Sequence, residues 1–195
     1  MEADSYPFSE DEEPVLPAAR SLPVDLETLV EIATENEFYP DRCYERTGYV
    51  DTHTGDVHII YRDSFRCANG EMEPAELEDW SAQEVELAGK ILEDTDERYV
   101  EIERWHSSEE YDLMEEFAEK AHDPRVRDRL MDALRRNKPF RRFKDALCES
   151  PALRETWFAF QGHSQRDTAR WWLRRFGIEA TDASAYKLPP LPERW

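Results

Sequence analysis

Residues 137–179 read NKPFRRFKDALCESPALRETWFAFQGHSQRDTARWWLRRFGIE. Apolar side chains recur along this stretch at helical intervals: Phe140, Phe143 and Leu147, then Leu153, Trp157 and Phe160, then Ala169, Trp172, Leu173 and Phe176. Pro139 and Pro151 suit the first turn of a helix, where the missing N–H has no intrahelical partner anyway. Asn137 or Lys138 and Ser150 stand just before them as candidate caps. Gly177 followed by Ile178 reads as a helix stop with its closing apolar contact. The stretch is a helical core of two or three helices.

Working back from it, Asp123-Pro124 opens a further helix carrying Val126, Leu130, Ala133 and Leu134. Ser107 with Glu110 reads as a capping box ahead of a stripe of Tyr111, Met114, Phe117, Ala118 and Ala121. Arg98–Glu103 (RYVEIE) alternates between apolar and polar positions, as a half-buried strand does. Trp80–Glu93 reads as a helix, and 65–78 as a loop with a turn at Asn69-Gly70. Thr47–Tyr61 carries the strongest strand pattern, with β-branched and aromatic residues flanking DTHTG, whose Gly55 can take a positive φ. A hairpin is expected there, with RYVEIE extending it to a small antiparallel sheet. Pro23–Glu35 reads as an amphipathic helix capped by Asp25.

The expected fold is α+β and mainly helical: a small antiparallel β-sheet, hairpin plus one strand, leading into a C-terminal helical bundle. Residues 1–22 read as a disordered acidic tail, 23–179 as a single α+β domain and 180–195 as an extended Pro-rich tail.

Charge is distributed unevenly. The chain has 195 residues and a net charge of −20, yet Pro124–Arg175 holds 14 Lys and Arg against 6 Asp and Glu, a local balance of +8 and −28 elsewhere. An acidic body thus joins a basic helical end. Three cysteines without close spacing (Cys43, Cys67 and Cys148) argue against a disulfide framework or a zinc site. The acidic N-terminus has no apolar signal core and no run reaches membrane-spanning length, so a cytoplasmic location without membrane contact is expected.

The pieces YVDTHTGDVHII, RYVEIE, SSEEYDLMEEF and KPFRRFKDAL, with a Trp-Phe-x-Phe helix ending in WWLRRFGI, together resemble a bacterial family, Uncharacterised Protein Family 158. The resemblance covers about Val24–Glu179. Its most specific pieces are the hairpin with Thr54-Gly55 and the segment Phe140–Asp145. It implies this organisation of the chain and brings no particular chemistry with it.

Two basic groups stand out as candidate ligand or partner sites. Arg141, Arg142 and Lys144 surround a helix start whose apolar edge holds Phe140 and Phe143, a pattern that suits carboxylates or phosphates. The competing reading is that these cations pair with the acidic body. Arg166, Arg170 and Arg174 recur every four residues as one positive ridge, and Trp171 projects about 150° from the centre of the apolar stripe. An off-stripe Trp beside Arg suits a protein anchor or a single-stranded nucleic acid; the competing reading packs Trp171 beneath the tail or another helix. His53 and His58 with Asp51 and Asp56 straddle the hairpin turn, but turns favour Asp for backbone reasons, and no metal is assigned.

No phosphate loop, nucleophile elbow or His-Glu-x-x-His occurs, and no cofactor is expected. The expected role is a non-enzymatic interaction or regulatory module with an unknown protein partner. RNA or single-stranded nucleic-acid binding is the alternative, and an enzyme of unrecognised type a further one.

Overall fold

The computed structural model describes residues 19–35, 46–73, 82–105, 107–192 and 195, the side chains of 107–109 excepted. The expected acidic tail before residue 19, the Ser107–Glu110 capping box and the start of the helix at Trp80 lie outside the described residues. The elements run β1 (Arg20–Val24), α1 (Leu26–Thr34), β2 (Arg46–Asp51), β3 (Val57–Tyr61), α2 (Arg62–Ala68), α3 (Ala82–Leu92), β4 (Tyr99–Glu101), α4 (Ser107–Glu119), α5 (Pro124–Leu134), α6 (Pro139–Cys148), α7 (Pro151–Arg174) and β5 (Ile178–Asp182). The fold is α+β and mainly helical, as expected.

Several helices start where their caps stand. The Asp25 carboxylate accepts the Glu27 and Thr28 amides at 3.1 and 3.2 Å, Asp123 accepts that of Arg125, and Ser150 that of Leu153. Helix α1 begins later than the periodicity suggests, because Pro23 and Val24 belong to a strand. Residues 65–68, expected in a loop, close the short helix α2. Its seven residues carry no apolar stripe, and its place is set by tertiary contacts. Glu84 of α3 accepts both the Ser64 hydroxyl (2.6 Å) and the Tyr61 amide (2.7 Å). The expected turn follows at Asn69-Gly70, with Gly70 at φ +73°.

The antiparallel sheet has the order β3-β2-β4, with Val50 opposite Val57 on one side and Val100 on the other. One face carries Gly48 and Val50 and is packed by α1; a Cβ at Gly48 would meet the Ile32 side chain at 2.7 Å. The other carries Tyr49, whose ring meets Phe65 of α2 at 6.0 Å.

A second sheet, absent from the expected fold, has two strands. Strands β1 and β5 pair in parallel, from Arg20 opposite Ile178 to Val24 opposite Asp182. These strands span the expected domain edges at 22 and 180.

Most of the buried apolar side chains among the described residues form two cores. One joins α1, the sheets and the end of α7 through Leu29, Ile32, Val50, Trp172, Leu173 and Ile178. The other lies among α4–α7, where Trp157 meets Phe117 at 5.1 Å and Phe143 at 5.0 Å, both edge to face. Helix α7, 24 residues long and therefore about 36 Å, enters both. No helix among the described residues is long and apolar enough to cross a membrane.

Two positive-φ glycines separate backbone strain from crowding. Gly55 has φ +86° and an added Cβ would run into the Pro23 carbonyl oxygen, whereas nothing lies within 4 Å of a Cβ at Gly70. Gly70→Ala should cost about 1 kcal/mol, for the left-handed backbone alone. Gly55→Ala should cost more, about 2–3 kcal/mol, since crowding adds to it. Urea denaturation of both variants checks this; equal costs would mean that β1 does not press on the hairpin.

Candidate functional site

The ridge expected from Arg166, Arg170 and Arg174 is not a free positive surface. Gly177, at φ +70°, ends the α7 helix and turns the chain into β5, which brings Asp182 beside α7. Arg166 is 6% exposed; its Nη1 donates to Asp182 Oδ2 (2.8 Å) and its Nη2 to the Tyr186 carbonyl (3.0 Å). This corrects the expectation that Arg166 is part of a positive ridge open to a ligand or partner. Arg170 donates to Asp167 at 2.7 Å, and Arg174 forms two bonds to Glu179 at 3.0 and 3.1 Å. Arg175 lies 3.6 Å from Glu103. The ridge pairs internally with carboxylates.

Trp171 stands where the helical spacing puts it. It is 61% exposed, while its neighbour Trp172 is 5% exposed, with its ring against Phe176 at 4.9 Å.

The Arg166–Asp182 pair is one part of a network. The Asp182 carboxylate also accepts the Ser184 amide (3.0 Å) and hydroxyl (2.5 Å), and the Ser184 hydroxyl in turn accepts the Glu27 amide at the start of α1. Burial pushes the Asp182 carboxyl up, but the Ser184 hydrogen bonds and the Arg166 charge outweigh it and hold it below the usual carboxylate range. Asp51 at the hairpin behaves alike: burial raises it, and the bonds from Arg98 (2.6–3.2 Å) and the His53 amide bring it down. Asp51 is therefore a structural anchor. Among the described residues, no group of three or more His, Cys, Asp or Glu is arranged to hold a metal ion.

The other basic group is different. Arg141, Arg142 and Lys144 are exposed on α6, and the turn from α5 adds exposed Arg135, Arg136 and Lys138, the last at φ +61°. Among the described residues only Arg136 has a close carboxylate partner, Asp132 at 2.6 Å; Arg141 lies 3.9 Å from Asp145, and Arg142 Nε donates to the Asn137 carbonyl. Arg135, Lys138 and Lys144 have no ion pair among the described residues. Phe143 is fully buried and Phe140 packs partly buried against the bundle core. Arg135, Arg136 and Lys138 straddle a helix boundary, so no helical face marks them in the sequence, although the density of cations from 135 to 144 does.

With this geometry set out, comparison with known proteins gives one family. The model described as Uncharacterised protein family (UPF0158) matches residues 68–190. The chain belongs to that family. A UPF0158 protein of Pseudomonas aeruginosa is 31% identical over 102 residues, 51% of this chain and 67% of the relative. No solved structure matches the chain. The UPF0158 match begins at the end of α2, so the hairpin lies outside it, whereas the basic α5–α6 turn, α7 and β5 lie inside.

Two measurements check these placements. Trp171→Ala should leave the unfolding midpoint nearly unchanged, while Trp172→Ala should cost about 3–5 kcal/mol; similar losses for both would contradict the assignment of faces. The acid limb of stability checks Asp182. A carboxyl with a lowered folded pKa contributes stability that is present above its unfolded pKa of about 3.9 and lost as pH falls through the folded value. The deficit of Asp182→Asn should thus be largest near pH 6 and shrink towards pH 2.5 in thermal melts. A deficit independent of pH would show that the charge of Asp182 contributes nothing.

Proposed function

We propose that the protein is a non-enzymatic interaction module that holds an acidic segment of a partner protein at the α5–α6 turn. The observation that supports this is the stretch from Arg135 to Lys144, with six cations and no carboxylate in ten residues of a chain whose net charge is −20. Elsewhere Arg166, Arg170 and Arg174 of α7 have their own carboxylates. Here most do not. Arginine guanidinium groups fix carboxylates through paired, planar hydrogen bonds, which gives such a surface orientation as well as attraction.

Charge range favours a short acidic segment over a nucleic acid. At physiological salt, screening confines each charge to about 8 Å, so a short segment feels the turn and little of the acidic body. A long polyanion tracks across both and meets repulsion. Single-stranded nucleic acids are also held by base stacking on exposed aromatic rings, and the two phenylalanines of α6 are turned into the bundle.

The test compares a fluorescein-labelled Glu-rich peptide with a single-stranded RNA oligonucleotide of matched charge, read by anisotropy. The peptide should bind the protein, and combined Arg135→Glu, Arg141→Glu and Lys144→Glu should weaken it about tenfold or more, with the melting temperature held within about 2 °C. Tighter binding of the RNA, lost in the same variant, would replace this reading with the nucleic-acid one. Binding of neither would remove the turn as a site.

A further inference from the structure

Helix α4 ends with two main-chain groups that the helix itself does not use. The amide that would reach the Phe117 carbonyl in a continued helix, that of Ala121, bonds to Ala118 instead. The His122 amide lies beyond the last turn. One residue, Trp195, satisfies both. Its indole Nε1 donates to the Phe117 carbonyl at 3.1 Å, and its main-chain oxygen accepts from the His122 amide. The indole stacks on the Phe117 ring at 4.8 Å and 18° and leans on Phe160 at 5.4 Å. The Lys120 ammonium lies over the same Phe160 ring, 5.0 Å from its centre.

The slot therefore offers an aromatic wall, an acceptor at the ring edge and a donor for the main chain. Tryptophan matches all three. Phenylalanine or leucine would fill the wall and leave the Phe117 carbonyl without its indole donor.

The segment that delivers Trp195 is thinly held. From Asp182 it runs back along α7, with Arg166 donating to the Tyr186 carbonyl, Leu188 lying over Gly162 and the His163 ring bonded to the Pro189 carbonyl at 2.8 Å. Between Ser184 and Trp195 no described side chain is fully buried. A bulky anchor approached by a segment with no fully buried side chain over 185–192 opens locally at a much smaller free-energy cost than global unfolding.

We propose that the slot at the end of α4 is a recognition site for an extended, tryptophan-bearing peptide segment, which Trp195 fills in cis and which such a segment of another protein takes by exchange. The proline-rich approach, KLPPLP, is stiff before it docks and loses little conformational freedom on binding. Tethering gives Trp195 an effective concentration on the order of millimolar, so a free peptide competes poorly until the tail is out of the slot.

The experiment uses the full chain carrying Trp195→Ala and the synthetic peptide KLPPLPERW, followed by calorimetric titration. The peptide should bind this variant at least about tenfold more tightly than it binds the wild-type chain, and the same peptide with Leu in place of Trp should not bind. No binding to the folded variant, or equal binding to both proteins, would overturn the proposal. Should the variant lose its helical circular dichroism, hydrogen exchange in the wild type decides. The His122 amide should exchange much faster than the Trp157 amide in the bundle core, through local release of Trp195. Equal rates would mean that the slot opens only when the protein unfolds, and the proposal would fail.

Discussion

Helix α7 has to satisfy two cores at once. Among the described elements it alone buries side chains in both, Leu153, Trp157 and Phe160 at one end and Ala169, Trp172 and Leu173 at the other. Trp157 and Trp172 point about 60° apart around a helix of 3.6 residues per turn, so the helix presents a slowly rotating stripe rather than one straight face. The two cores thus share one continuous helix. Between them, at Gly162 and His163, the helix packs against the returning tail instead of a core.

That arrangement explains which parts of the fold were legible. Asp25, Asp123 and Ser150 act within three residues of themselves, and the hairpin closes over a turn of a few residues, so local sequence suffices to place them. Strands β1 and β5 read RSLPV and IEATD, five residues each and the first interrupted by Pro23, too short for alternation to mark them, and each exists because the other is beside it. Helix α2 is a similar case: its seven residues are held by Glu84, which lies 20 residues beyond Ser64.

The basic region shows the same limit in electrostatic form. The spacing of Arg166, Arg170 and Arg174 put them correctly on one side of a helix, and the exposure of Trp171 followed from the same wheel. What spacing could not show is that Asp182 and Glu179 return to neutralise that side, because the reversal depends on Gly177 and on pairing with β1. The cations around the α5–α6 turn have no such returning strand. A buried ion pair such as Arg166–Asp182 gains from the low local dielectric and loses from desolvation, and it persists here because the Tyr186 carbonyl and Ser184 complete the hydrogen bonding.

The parallel pairing of β1 with β5 also sets an order for synthesis on the ribosome. Leu22 and Thr181, hydrogen-bonded across this pair, are 159 residues apart. At about 5–20 residues per second, β1 emerges roughly 8–30 s before its partner exists. Through that interval Leu29 and Ile32 of α1 lack Trp172, Leu173 and Ile178, which later cover them. The nascent chain thus carries an apolar face on α1 whose cover on α7 and β5 is not yet made.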